Sequence, residues 1–259
     1  MRWLLSLALV LAGCAELGLV DDGTSRSVGR ASNGYIVRPA KIPEHGEGFT
    51  TREVWKARDN RYGTDELIEL IMGVARRMPV HDVKLVVADL TSKRGGGAFA
   101  FHRSHQSGRD ADLVYYMRDK DGKPFEPDAM HVFDDRGKAK DGSGLTLDVA
   151  RTWLLVRELV TAPEAPVQWI FMYEPIAKLL LDHAADVHEP EKLIARARLT
   201  LRQPGDSARH DDHFHVRVYC SSRDAGCVDM GPMELRATWQ PVVPQLAAGA
   251  YRIDLRRWR

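Results

Sequence analysis

Two short stretches rich in histidine and aspartate constrain this sequence more than any other feature. Residues 102–112 read His-Arg-Ser-His-Gln-Ser-Gly-Arg-Asp-Ala-Asp, and residues 210–215 read His-Asp-Asp-His-Phe-His. Together they contain five of the ten histidines in the 259-residue chain. Imidazole and carboxylate groups are the usual ligands of a hydrolytic zinc ion. We therefore expect a fold that brings the two stretches together around a metal ion.

The spacing within each stretch supports such a site. Residues two apart on a strand share a face, so His213 and His215 would project together while Phe214 points into a core. A turn between His105 and Asp112 would let both converge on the same ion. Two histidines and one carboxylate leave zinc an open fourth position, which is the catalytic arrangement. The alternative is that the His-x-His pair is exposed or structural, as most such pairs are when they occur alone.

Hydrophobic periodicity predicts a compact α+β domain around this site. Thr64 is a good N-cap for a helix that ends before Pro79. No internal repeat and no second domain are evident, so we expect a single domain at residues 53–259. We predict helices over residues 65–78, 148–160, 175–184 and 190–198, and strands over residues 84–90, 113–117, 167–173 and 214–219.

The N-terminus has the features of an export signal. Residues 4–11 form an apolar run that is too short to span a membrane. The segment Leu11-Ala12-Gly13-Cys14 then matches a bacterial lipobox. We therefore predict a lipoprotein signal peptide at residues 1–13, lipidation of Cys14, and a tether at residues 14–52. The alternative is an ordinary signal peptide that contains Cys14 by chance, and in either case the protein is exported.

A lipid anchor at Cys14 would hold the protein at a membrane, since several acyl chains together give firm attachment. We expect a periplasmic location. Ala15 is not the aspartate that tends to retain lipoproteins in the inner membrane, so the sequence favours the inner leaflet of the outer membrane.

Composition and the remaining cysteines narrow the choices further. The net charge is +1 and the charges are dispersed, so nothing indicates nucleic acid as a partner. Cys220 and Cys227 enclose a short loop, and in an exported protein we predict that they form a disulfide. The alternative is a pair of free buried thiols. Neither cysteine lies within the histidine-rich stretches, so we assign them no catalytic role.

The two stretches carry a family resemblance. Read as Ser-His-Gln-Ser-Gly-Arg-Asp-Ala-Asp at residues 104–112 and His-Asp-Asp-His-Phe-His-Val-Arg at residues 210–217, they resemble the penicillin-insensitive murein endopeptidases. These belong to the wider lysostaphin, D-Ala-D-Ala peptidase and hedgehog-like group of zinc peptidases. The resemblance implies a mainly antiparallel sheet that carries one zinc ion, with flanking helices. It also implies hydrolysis of peptide cross-links in peptidoglycan, typically between D-alanine and meso-diaminopimelate.

The resemblance also implies roles for single residues. His105, Asp112 and His215 would be the zinc ligands. His213 would match the catalytic base, and His210 a further active-site histidine that assists at the transition state. His102 keeps its family position although its neighbours differ, and it could be an auxiliary ligand, a support for a ligand, or a structural residue.

Three functions are compatible with these residues. The first is a zinc endopeptidase, the second is a related zinc carboxypeptidase that trims terminal D-alanine, and the third is a non-catalytic murein-binding lipoprotein. A complete set of ligands and catalytic histidines favours an enzyme, because a binding module has no need of His213 and His210. Arg217 could pair with Asp211 or Asp212, or bind a substrate carboxylate.

Overall fold

A central sheet positions the histidine-rich stretches in the computed structural model, which describes residues 23–78, 83–97, 102–205 and 207–237. The strands of these residues are β1 (Arg26–Arg30), β2 (Asn33–Val37), β3 (Ala40–Lys41), β4 (His45–Gly46), β5 (Phe49–Thr50), β6 (Tyr62–Gly63), β7 (Leu85–Val86), β8 (Asp110–Val114), β9 (Met117–Arg118), β10 (Pro124–Phe125), β11 (Thr146–Leu147), β12 (Val167–Phe171), β13 (Leu201–Arg202) and β14 (His213–Val218). The helices are α1 (Glu53–Arg58), α2 (Asp65–Arg77), α3 (Val149–Val160), α4 (Glu174–Asp186), α5 (Glu191–Thr200) and α6 (Glu234–Ala237).

The central sheet has four strands in the order β13-β12-β14-β8. Strand β12 runs parallel to β13, and the other two pairs are antiparallel. His215 lies opposite Asp112, and Arg217 lies opposite Asp110. Directly opposite residues share a face of the sheet, as do alternate residues along a strand. The register therefore gathers these four side chains on one face and sends Phe214 into the core on the other.

Local sequence signals account for where helices α2 and α3 begin. The Thr64 side chain accepts a hydrogen bond from the Leu67 amide at 3.3 Å and caps α2. Asp148 does the same for α3, accepting from the Arg151 amide at 3.2 Å. Such caps satisfy backbone N–H groups that a helix leaves unpaired at its N-terminus. The apolar faces of α2, α3 and α4 join Phe214 and the other inward residues of the sheet in one hydrophobic core.

The predicted elements occur near their expected positions, with two differences in length. The strand expected at residues 84–90 is reduced to Leu85–Val86, which pairs in parallel with β5. The strand expected at residues 113–117 begins earlier, at Asp110, because β14 pairs with the chain from that residue onward. This shift places both aspartates of the first motif within a strand.

The described part of the expected tether, residues 23–52, differs from the prediction because it contains strands β1–β5. Ile42 and Phe49 are buried in the core. Strands β1 and β2 form a hairpin, as do β4 and β5, while β3 and β5 pair with β6 and β7 later in the chain. Isolated apolar residues between glycines, prolines and charges show no period in the sequence, so only the pairing of the strands reveals them.

The fold class and the disulfide can also be compared with the predictions. The mixture of helices with mainly antiparallel sheet is confirmed. The disulfide between Cys220 and Cys227 is present, as predicted. Across the described ranges, no helix has the length and apolar character needed to cross a membrane. The signal peptide and Cys14 lie outside the described residues and stay predictions.

Candidate metal centre

The carboxylate of Asp112, on strand β8, lies at the centre of the site and is completely buried. Its Oδ1 atom lies 3.3 Å from Nε2 of His105, 3.3 Å from Nε2 of His213 and 3.6 Å from Nδ1 of His215. Its Oδ2 atom lies 3.6 Å from Nδ1 of His102. Neither oxygen has a hydrogen-bond partner among the described residues. A buried carboxylate without hydrogen bonds is costly unless positive charge compensates it.

Each of these four imidazoles has one ring nitrogen held by an oxygen acceptor and the other directed at Asp112. His105 Nδ1 lies 2.7 Å from the Leu90 carbonyl oxygen. The acceptors of the other three are Asp110 for His215 Nε2 at 3.1 Å, Asp212 for His213 Nδ1 at 2.6 Å, and Asp89 for His102 Nε2 at 3.3 Å. Because carbonyl and carboxylate oxygens only accept, each held nitrogen donates its N–H. In the neutral ring the inward nitrogen then carries a lone pair, which is the usual arrangement of metal-ligating histidines.

His105 shows why this arrangement needs a cation. It is fully buried, and its Nε2 atom has no hydrogen-bond partner in the described part of the chain. In the neutral ring, a nitrogen lone pair would face an ionised oxygen of Asp112. Although burial lowers the pKa of His105, the charge of Asp112 raises it above its usual value. The position favours positive charge, and either a proton or a metal ion can supply it.

The ligand atoms of His102, His105 and Asp112 all lie within 4.8 Å of one another, so these three residues could hold a metal ion. This donor set, two imidazole nitrogens and a carboxylate oxygen, matches what zinc binds in proteins. Burial raises the pKa of Asp112, but His105 and His213 outweigh burial and hold it well below its usual range. Asp112 is therefore ionised and able to bind a cation. The structure thus includes His102 in the group that could bind a metal ion, whereas the sequence left its role open between ligand, support and structural residue.

His215 borders this group without being part of it. Besides Asp110, its Nε2 atom lies 3.5 Å from Oγ of Ser104. Burial, together with the charge of His105, lowers the pKa of His215 to about 3. The imidazole is therefore neutral, the form that binds metals, and its Nδ1 atom faces Asp112.

His213 and His210 lie beside the group. Their ring centroids are 5.0 Å apart, and the His210 and His215 centroids are 5.3 Å apart. Burial lowers the pKa of His213, but Asp112 and Asp212 together raise it to about 10. A cation bound to Asp112 would oppose that increase, because it neutralises one of the two carboxylates.

His210 differs from its neighbours in protonation and in hydrogen bonding. Burial and the nearby His213 lower its pKa to about 4, so its ring is neutral at neutral pH. Its Nδ1 atom is buried and has no hydrogen-bond partner among the residues that the structure describes.

Two supporting contacts were not evident from the sequence. Asp89, which is 2% exposed, receives a hydrogen bond from Arg58 at 2.7 Å and holds His102. The available signal was an aspartate at the end of the apolar run at residues 85–90. Arg217 pairs with Asp110 at 2.6 Å, rather than with Asp211 or Asp212. Because Asp110 also accepts from His215, the Arg217 charge is already committed to supporting the site.

Comparisons with known proteins connect most of the chain to one family. A sequence profile of the family described as "Penicillin-insensitive murein endopeptidase" matches residues 27–237. A protein of that name from Haemophilus influenzae is 25% identical over 219 residues, which cover 82% of this chain and 70% of the relative. Proteins of the same name from Klebsiella pneumoniae and Escherichia coli are each 25% identical, over 86% and 87% of this chain and 79% and 80% of their own lengths.

Proposed function

The chain belongs to the penicillin-insensitive murein endopeptidase family, and from this premise we propose that it is a zinc endopeptidase that cleaves peptide cross-links in peptidoglycan. The bond we propose joins D-alanine to meso-diaminopimelate. The observation that carries the proposal is the buried Asp112 carboxylate, which has no hydrogen bond among the described residues and is faced by four imidazole nitrogens. This arrangement is unfavourable without a cation and is suited to binding one.

We assign His105, Asp112 and His215 as the zinc ligands. Both histidines have one ring nitrogen held by an oxygen acceptor and the other directed at Asp112, and the position of His215 opposite Asp112 on paired strands keeps it in place. His102 is a further candidate ligand, because its Nδ1 atom lies 3.6 Å from Oδ2 of Asp112. When bound, a zinc ion would acidify a coordinated water and polarise the scissile carbonyl.

Two histidines would carry the proton transfers. His213 lies next to the ligands, with Nδ1 fixed by Asp212, so its Nε2 atom can accept the proton of the attacking water. His210 would act as a neutral hydrogen-bond donor to the oxyanion that develops on the substrate carbonyl. The proposed chemistry uses no serine or cysteine nucleophile, which would explain insensitivity to β-lactams.

For location, we propose an exported protein anchored in the periplasm through lipidated Cys14. An anchor in the inner leaflet of the outer membrane would place the active site next to its substrate. Labelling of the protein with a fatty-acid analogue, and loss of the label in Cys14→Ser, would support the anchor. An unlabelled protein that is cleaved elsewhere by signal peptidase would contradict it.

Digestion of purified sacculi, with and without a chelator, tests the reaction. Conversion of cross-linked dimers to monomers, blocked by the chelator and restored by zinc, is the expected result. Release of free D-alanine without loss of dimers would indicate a carboxypeptidase. Unchanged sacculi under all conditions would indicate a binding protein and would contradict the proposal.

Variants test the assignment of roles. We expect His215→Ala to lose both metal and cleavage, at least about a thousandfold, since a bound metal contributes several kcal/mol to catalysis. We expect His213→Ala to keep its metal and lose cleavage. Unchanged turnover in His213→Ala would remove its assignment as the base. Metal content in His102→Ala, measured beside His215→Ala, decides which histidine is the third ligand.

A further inference from the structure

A row of side chains leads from the metal centre across the central sheet to its edge. His215 on β14 lies opposite Phe171 on β12, and Phe171 lies beside Arg202 on the edge strand β13. Neighbours in register share a face, so Arg202 emerges on the same side of the sheet as Asp112.

Aromatic contacts make this row continuous. The ring centroids of His215 and Phe171 are 5.3 Å apart, and those of Phe171 and Trp169 are 6.0 Å apart. The guanidinium carbon of Arg202 then lies 5.3 Å from the centre of the Trp169 ring. These contacts form a packed row of rings, in which Phe171 is more exposed than His215 or Trp169, and the row fixes the position of Arg202 relative to the metal centre.

Two arginines on this face differ in their partners. Arg217 lies over Phe171 and is neutralised by Asp110. Arg202 is exposed, and over the described ranges no carboxylate lies within ion-pair distance of it. Stacking on Trp169 orients the guanidinium plane without satisfying its hydrogen-bond donors. Arg202 is therefore prepared to bind an anion.

Arg202 opens into a cleft of about 590 Å³ at the edge of the sheet. Trp169, Leu201 and Leu235 supply apolar lining, and Arg198 from α5 adds a second positive charge. Glu234 from α6 contributes a carboxylate to the same lining. An apolar cleft with a few fixed polar groups is the usual form of a ligand site.

We propose that Arg202 binds a free carboxylate of the substrate peptide and so selects acidic cross-links. This inference rests on the proposed endopeptidase function. Neighbouring strands lie about 4.8 Å apart, so Arg202 is about 10 Å from His215 across two strand intervals. An extended chain covers about 3.4 Å per residue, which places the carboxylate about three residues from the scissile bond. Guanidinium pairs with carboxylate through two parallel hydrogen bonds, which gives this contact its specificity.

The test compares two synthetic cross-linked peptides, one with free carboxyl groups and one with the corresponding carboxamides. We expect the zinc-loaded protein to prefer the free acid, as measured by kcat/KM. In Arg202→Gln, the ratio of kcat/KM for the acid to that for the amide should fall by about 10- to 100-fold, mainly through KM. Arg202→Lys should show a smaller fall, because an ammonium keeps the charge but lacks the planar pair of donors.

Controls separate this inference from the function on which it rests. Lys178→Gln removes a positive charge that pairs with Asp182 on α4, away from the row, and should leave the ratio unchanged. Equal cleavage of acid and amide by the unaltered protein would overturn the role of Arg202, as would a parallel loss on both peptides in Arg202→Gln. Cleavage of neither peptide by the unaltered protein would instead count against the endopeptidase itself. A fall in the ratio for Arg198→Gln but not for Arg202→Gln would move the contact to Arg198 and overturn the proposal.

Discussion

The candidate site has two halves that are positioned by different means. Asp112, His213 and His215 lie on the paired strands β8 and β14, whose backbone hydrogen bonds set the register of one against the other. His105 and His210 lie in loops and have backbone φ angles of 65° and 56°, in the left-handed region. The strand half has ordinary backbone geometry, whereas the loop half contains two of the five non-glycine residues with positive φ among the described residues.

The loop half is strained and is held by specific hydrogen bonds. Each left-handed non-glycine residue costs about 1–2 kcal/mol. The His105 amide donates to Asp110 at 3.0 Å, which fixes the turn against the first motif. The His210 carbonyl accepts from the Tyr115 hydroxyl at 2.8 Å and from the Tyr173 amide at 3.1 Å. Strained residues that persist at a site are a common feature of functional loops.

The two halves of the site therefore have different roles. The strand half supplies fixed electrostatics around Asp112, and the loop half brings polar groups that must be placed accurately for chemistry. We therefore expect substitutions around the loop histidines to change turnover or metal affinity by amounts that differ from one residue to the next, while the sheet stays intact.

The largest expected effect in the loop half is that of His210→Ala. Its ring contacts His213 and His215 but is not directed at Asp112. We expect kcat/KM on cross-linked muropeptides to fall by about 10²- to 10³-fold, the usual result of removing one donor to an oxyanion. Zinc content, measured by atomic absorption on the same sample, should stay at one per chain. Loss of the metal would show that His210 also helps to hold the ion and would contradict its assignment as a hydrogen-bond donor to the oxyanion.

An intermediate effect is expected for Asp89→Asn. This change weakens the support of His102 by removing the charge of its acceptor. Zinc affinity, measured by competition with a chelator, should fall by about 10- to 100-fold, as for other residues that orient metal-bound histidines. Asp141→Asn is the matched control, because Asp141 accepts from His131 at 2.5 Å in an exposed loop. Equal affinities in the two variants would remove His102 from the metal centre.

The smallest expected effect is that of Tyr115→Phe. The change deletes one hydrogen bond to the His210 carbonyl, while the Tyr173 amide still satisfies that oxygen. We expect the free energy of unfolding to fall by about 1 kcal/mol, with Tm lower by about 2–4 °C. Activity should fall less than in His210→Ala. A loss of activity as large as that of His210→Ala would mean that Tyr115 fixes the strained loop alone.

Part of the strand half could be predicted from the sequence, because side chains alternate between the two faces of a strand. Alternation places His213 and His215 on one face of β14 and Phe214 on the other, and the structure has this arrangement. The caps at Thr64 and Asp148 are local signals that act within one helical turn. The residues expected to meet around an ion do lie together, although their roles stay predictions until the variants are measured.

The loop half and the edges of the fold could not be predicted in this way. The support of His102 by Asp89 joins residues from different loops. Strands β3 and β5 pair with β6 and β7, later in the chain, and carry no period of their own. The commitment of Arg217 to Asp110, and the position of Arg202 at the end of the row, both follow from sheet register. Register is a property of paired strands, so no single strand in the sequence reveals it.

The sequence by itself therefore determined which groups can bind a metal ion and on which face of β14 two of them project. Ligand type and alternation are local properties of the chain, which is why they can be read without a fold. Only the tertiary structure decided that four imidazoles surround one buried carboxylate, because that depends on contacts between segments far apart in the chain. Burial then set the protonation of His210 and His215, since desolvation depends on everything packed around a group.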